Sequence, residues 1–182
     1  MSYIEKMLVF NKKFVDDKKY KSYPSTKYPN KKIAILSCMD TRLTELLPAA
    51  LNFKNGDIHI IKNAGAIISH PFGSVMRSLL IAVYELGVED VIVIGHHDCG
   101  MQGMEASTLI HKMTDRNISP GKIDFISYCG IDINKWLKGF GNVEDAISET
   151  VNIIRQHPLI PEDVQVHGFV IDPSTGKLEK VG

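Results

Sequence analysis

Apolar and polar positions alternate along this chain in two distinct periods. Residues 33–38 (IAILSC) form an unbroken apolar run that ends on a thiol, and residues 91–96 (VIVIGH) form another that ends on an imidazole. Residues 57–63 (DIHIIKN) carry more period-two character, and 164–172 (VQVHGFVID) read as a fourth strand. PSTG then turns into KLEKV as an edge hairpin. Between the strands the period becomes helical. Thr41 to Leu51 reads as a short helix interrupted by Pro48, and Ser74 to Leu86 as a helix with Val75, Leu79, Leu80, Val83 and Leu86 in one stripe and Gly87 as its stop. Asn142 to Gln156 is the clearest helix. Asn142 caps it, Glu144 and Asp145 occupy its first turn, Val143, Ile147, Val151 and Ile154 face the core, and Pro158 ends it. Residues 101–141 are weakly periodic and read as two short helices.

Near-continuous apolar strands alternating with helices imply a parallel sheet covered on both faces. The expected fold class is therefore α/β, with a mainly parallel central sheet flanked by helices, an N-terminal helical arm and a C-terminal edge hairpin. A length of 182 residues fits one domain with a sizeable core, divided into an arm over residues 1–30 and an α/β core over 31–182.

Charge changes this picture only at the N-terminus. The chain is neutral overall, but residues 1–32 hold nine lysines against three acids, a surplus of six that the remainder offsets. This segment has no arginine, while Ile4, Leu8, Phe14 and Val15 recur at roughly helical spacing. It reads as an amphipathic helix with a lysine-rich solvated face rather than a nucleic-acid arm. No apolar run approaches a membrane span, and the first residues lack a leader pattern, so a cytoplasmic location is expected with no membrane and no nucleic-acid partner. Three widely spaced cysteines argue against a disulfide framework.

The chemistry lies where two strands end. In open parallel sheets the crevice beyond the carboxyl ends of the strands binds ligands, so Cys38 and His96 can meet despite their separation in sequence. Cys99 follows His96 at i+3, close enough for the intervening turn to aim both side chains at one point. Two thiolates and an imidazole suit zinc, and three protein ligands leave a fourth tetrahedral position for water. A water there has its pKa lowered to ~7, giving hydroxide at neutral pH. Asp40 can accept that water's remaining hydrogen bond, although it is also a potential ligand that would block the open position. Arg42, two residues on, can hold Asp40 away with a planar two-point grip that lysine does not reproduce.

CMDTR (38–42) together with HHDCG (96–100) resembles the Cys-x-Asp-x-Arg and His-x-x-Cys signature of the β-class carbonic anhydrases, and the short chain looks most like their compact, archaeal-type branch. The resemblance runs over about residues 30–172 and includes KNAG (62–65) and DPSTGKL near the end. It implies zinc on Cys38, His96 and Cys99, an Asp40–Arg42 dyad, and reversible hydration of carbon dioxide to bicarbonate. It also implies a dimer, or a dimer of dimers, whose N-terminal helices embrace the partner. The chain departs from the family pattern at Lys62, Ala66 and His97. Relatives that hydrolyse carbon disulfide or carbonyl sulfide share the ligand set. A non-enzymatic zinc or redox-sensing module, in which Cys38 and Cys99 pair when the metal leaves, is the reading from another class. Asp40 and Arg42 favour the enzyme, because a structural site would want a fourth permanent ligand.

The remaining candidates are weaker. His97 reads as solvent-facing or packing rather than a proton relay, His59 as a satisfied strand histidine, and Cys129 as buried filler. Met101 and Met104 line either a pocket or the core. Neither a GxGxxG nor a Walker sequence is present.

Overall fold

The structure, a computed structural model, describes residues 1–181. Five strands, β1 (Ile33–Cys38), β2 (Ile58–Asn63), β3 (Asp90–His96), β4 (Gln165–Ile171) and β5 (Leu178–Val181), form one sheet in the order β2-β1-β3-β4-β5. The first four are mutually parallel and β5 returns antiparallel to β4, so the expected fold class and edge hairpin both hold. Burial follows position in the sheet. The central β1 is buried along nearly its whole length, whereas the edge strand β2 alternates between half-buried and exposed residues.

Seven α-helices accompany the sheet among the described residues: α1 (Tyr3–Asp16), α2 (Leu43–Ala50), α3 (Ser74–Leu86), α4 (Ala106–Asp115), α5 (Pro120–Tyr128), α6 (Ile133–Leu137) and α7 (Val143–Arg155). Helix α7 follows its pattern: the Asn142 side chain accepts from the Asp145 backbone N–H, and Val143, Ile147, Val151 and Ile154 are buried. It lies close on the sheet because β3 has no side chain at Gly95, where a Cβ would stand 2.7 Å from Ile147 Cγ1 and 2.8 Å from Val143 Cγ2.

Several sequence expectations need correction. Helix α2 is not interrupted at Pro48 but runs through it to Ala50, since a proline so near the C-terminus costs a single ladder bond. The buried line of α3 is Met76, Leu79 and Ala82, with Val75, Leu80, Val83 and Leu86 half-buried beside it, so the stripe is rotated toward Met76 and Ala82. Residues 101–141 hold three helices rather than two. Cys129 is exposed at the C-terminal cap of α5, a helix with little amphipathic bias to bury it. His59 is not satisfied, because its Nε2 is buried without a partner.

The arm forms the expected helix. Ser2 and Glu5 make a capping box at its start, and Phe14 packs on Tyr23 with ring centroids 6.3 Å apart. No residue of α1 is buried, and its apolar Ile4, Leu8 and Val15 are 58%, 59% and 51% exposed.

Candidate metal centre

The chain passes from β1 to β2 on one side and later to β3 on the other, so the β1/β3 boundary is the point where the order of strands reverses. Crevices open at such points beyond the carboxyl ends. Cys38 is the last residue of β1 and His96 the last of β3. Asp98, with φ 54°, reverses the chain so that Cys99 turns back toward both. The donor atoms of Cys38, His96 and Cys99 all lie within 4.8 Å of one another, and the three residues are buried at 4%, 1% and 7% exposure.

The triangle fits a tetrahedral zinc. The two Sγ atoms are 3.9 Å apart. Thiolates at ~2.3 Å from a tetrahedral zinc would stand ~3.8 Å apart. His96 Nδ1 lies 2.8 Å from the His97 carbonyl oxygen. Donating there commits the ring proton to Nδ1 and leaves a lone pair on Nε2, the arrangement of a metal-binding imidazole. That Nε2 is buried and has no hydrogen-bond partner. A buried unpartnered acceptor is costly, and a cation between it and the thiols removes the cost.

The thiols point the same way. Burial pushes the Cys38 thiol up, but the neighbouring His96 ring and the Gly65 and Asp40 backbone bring it below its ordinary value. Burial pushes Cys99 up, against a hydrogen bond from Met101, and the neighbouring Cys38 charge adds to the rise. Two thiols sharing a small buried site cannot both ionise easily without a cation.

Gly65 supplies its part through φ 86°. A Cβ there would also meet Phe140 Cε1 at 3.0 Å and Met101 Cγ at 3.3 Å. Ala66 follows at φ 57°, left-handed and fully buried, at a position where the chain departs from the signature it resembles.

Asp40 and Arg42 occupy the turn after Cys38. Arg42 Nε donates to Asp40 Oδ1 at 3.0 Å and Nη2 donates to Oδ2 at 2.8 Å, a two-point grip reinforced by the Arg42 backbone N–H on Oδ1 at 2.9 Å. The Arg42 guanidinium holds the Asp40 carboxyl well below the usual carboxylate range. Asp40 Oδ2 lies 3.8 Å from His96 Nε2, so the carboxylate faces the triangle with one bond from Arg42 on that oxygen and room for another donor.

A family model described as carbonic anhydrase matches residues 33–178. The chain belongs to the β-carbonic anhydrase family. Among its relatives, the Bacillus subtilis protein named "Putative carbonic anhydrase YtiB" is 52% identical over 181 residues, which cover 100% of this chain and 97% of that one. A carbon disulfide hydrolase of Acidithiobacillus thiooxidans is 28% identical, with 82% and 76% covered. The crystal structure of β-carbonic anhydrase isoform I from Trichomonas vaginalis superposes with a TM-score of 0.90 at 34% identity, covering 100% of this chain and 98% of that one.

All five residues singled out from sequence therefore gather at one place in this β-carbonic anhydrase. His97 stands outside the triangle, its Nδ1 4.0 Å from Glu144 Oε1. Met101 and Met104 line a cavity of about 420 Å³ with Asn63, Ala64, Val75, Leu109 and Trp136. Lys62 Nζ donates to the Cys38 carbonyl at 3.3 Å, and partial burial lowers its pKa. Sequence reasoning missed Asp98, whose carboxylate is 2.8 Å from Arg42 Nη1. Its signal was present in HHDCG, but the contact spans 56 residues, and no local pattern pairs the two.

Proposed function

We propose that this chain catalyses the reversible hydration of carbon dioxide to bicarbonate, with zinc held by Cys38, His96 and Cys99. The observation that carries the reading is a buried two-thiol, one-imidazole triangle flanked by a carboxylate that is clamped rather than free to fill the fourth position. Zinc, when bound, supplies a Lewis acid that makes water nucleophilic near neutral pH.

The chain's own residues do the rest. The two thiols, as thiolates, and His96 Nε2 would hold the ion. Asp40, kept ionised by Arg42, accepts a hydrogen bond from the attacking water and fixes the direction of its remaining lone pairs. Arg42 keeps both Asp40 oxygens occupied, which favours orientation over ligation. The carbon of carbon dioxide takes the water oxygen, one proton leaves to solvent, and bicarbonate departs.

The family relationship supports carbon dioxide as substrate, while the carbon disulfide hydrolase relative makes sulfur analogues the competing class. Stopped-flow carbon dioxide hydration on zinc-loaded protein, run beside sulfide release from carbon disulfide and carbonyl sulfide, separates them. Hydration with one zinc per chain is expected. Sulfide release without hydration would overturn the reading.

The reading extends to assembly: a single domain over residues 1–182 that forms a dimer, or a dimer of dimers, with the exposed apolar face of α1 docked on its neighbour. No helix among the described residues is long and apolar enough to cross a membrane.

A further inference from the structure

Asp98 stands between two of the three ligands, at the apex of the turn from His96 to Cys99. Its side chain is 86% exposed, yet Arg42 meets this residue twice. Nη1 donates to Asp98 Oδ2 at 2.8 Å, and Nη2 donates to the Asp98 backbone carbonyl at 2.9 Å. The same guanidinium grips Asp40 through Nε and Nη2. An arginine has five N–H donors, so four of the five are committed between these two aspartates.

We propose that Asp98 is a positioning residue: it anchors the Arg42 guanidinium and, through it, fixes the direction of the Asp40 carboxylate. The proposal rests on the reading of Asp40 as the group that orients the attacking water.

The physical need follows from chain distance. Asp40 and Arg42 are two residues apart on one turn, and a grip so local leaves the pair free to swing together about that turn's bonds. A second anchorage, on the loop carrying His96 and Cys99, removes that freedom. It references Asp40 to the same loop that supplies two of the three donors. Stability gives the Asp98 carboxylate no comparable purpose, because an ion pair this exposed contributes little to folding. The backbone at Asp98 is left-handed at φ 54°, a conformation glycine takes freely and aspartate or asparagine tolerates. A glycine would serve the turn better. The aspartate is explained by its carboxylate.

That conformation also supplies clean variants. Asp98→Gly keeps the turn and deletes the carboxylate, and Asp98→Asn keeps the turn and a neutral acceptor. The first readout is independent of turnover. The chain has four arginines, so in zinc-loaded, ¹⁵N-labelled protein the Arg42 Nε–H resonance is assignable by its loss in Arg42→Lys. It is expected to be ordered in the wild type, less ordered by heteronuclear NOE in Asp98→Gly, where the carboxylate bond is lost and the backbone-carbonyl bond remains, and intermediate in Asp98→Asn. The second readout is kinetic. In Asp98→Gly, kcat for carbon dioxide hydration should fall on the order of tenfold, the lower end for loss of an outer-shell partner, with KM, zinc content and thermal midpoint unchanged. Asp98→Asn should recover part of the loss. In an Arg42→Lys background, Asp98→Gly should cost nothing further, since its effect travels through the guanidinium.

An Arg42 resonance as ordered in Asp98→Gly as in the wild type would overturn the anchor. So would an undiminished loss of kcat in the Arg42→Lys background. A wild-type protein without carbon dioxide hydration, whose Arg42 signal nonetheless loosens in Asp98→Gly, would refute the hydratase reading and uphold the anchor.

Discussion

Cys38 and Cys99 bring their Sγ atoms to 3.9 Å across 61 residues of chain, one from the end of a strand and the other from a reversed turn. With His96 they form one site, and a site of three donors fails when any one is removed. Cys99→Ala is therefore expected to lose zinc and to fall in activity by at least a hundredfold together. Metal analysis of the purified variant checks this, and full zinc occupancy there would remove Cys99 from the ligand set.

Arg42→Lys separates metal binding from catalysis. A lysine ammonium is a point charge that cannot reproduce the two-point grip on Asp40. The variant should hold one zinc per chain while kcat drops by about ten- to a hundredfold, the range for loss of an outer-shell partner. Wild-type turnover would take the dyad out of the mechanism.

The direction of the Asp40 shift sets a pH expectation. Arg42 holds this carboxyl well below the usual range, so its protonation state does not change between about pH 6 and pH 9. Activity across that window should rise as the water nucleophile loses its proton, and Asp40 should contribute no inflection. The linkage to folding has the opposite limb. A carboxyl with a depressed folded pKa stabilises the protein above the unfolded value of ~3.9, and that contribution fades as pH falls through the folded one. Acid unfolding followed by circular dichroism should therefore be steeper for the wild type than for Asp40→Asn. An activity profile falling from pH 6 to 9 would count against the water-activation scheme.

Helix α1 exposes Ile4, Leu8 and Val15 and buries none of its residues within the chain. Deleting residues 1–24 should convert a dimer to a monomer or an aggregating species in sedimentation velocity. A truncated protein that stays dimeric and well behaved would show that the arm is not the clasp.

Gly95→Ala tests the packing behind His96. The added Cβ would stand 2.7–2.8 Å from Ile147 and Val143, both buried in the rigid contact between α7 and β3. Overpacking of this kind costs about 1–3 kcal/mol. Urea unfolding should show a lowered midpoint with an unchanged slope, and an unshifted midpoint would mean that α7 yields more easily than its packing implies.

From sequence alone, the periods of the apolar positions determined the strands, the two best-defined helices and the parallel sheet, because burial on both faces writes itself locally as an unbroken apolar run. The candidate ligands were legible for a related reason: a thiol and an imidazole each end such a run, and a strand end in a parallel sheet has one place to point. The chain's weakly amphipathic stretch, 101–141, concealed its third helix because little of it is buried to leave a period. Only the tertiary structure decided which face of α3 meets the sheet, that Cys129 is exposed, and that the Nε2 of His59 is buried without a partner. It alone joined Asp98 to Arg42. Those facts depend on contacts between segments far apart in the chain, which no local spacing records: a residue two positions from its partner is visible in sequence, and one 56 positions away becomes its neighbour only when the strands have been ordered.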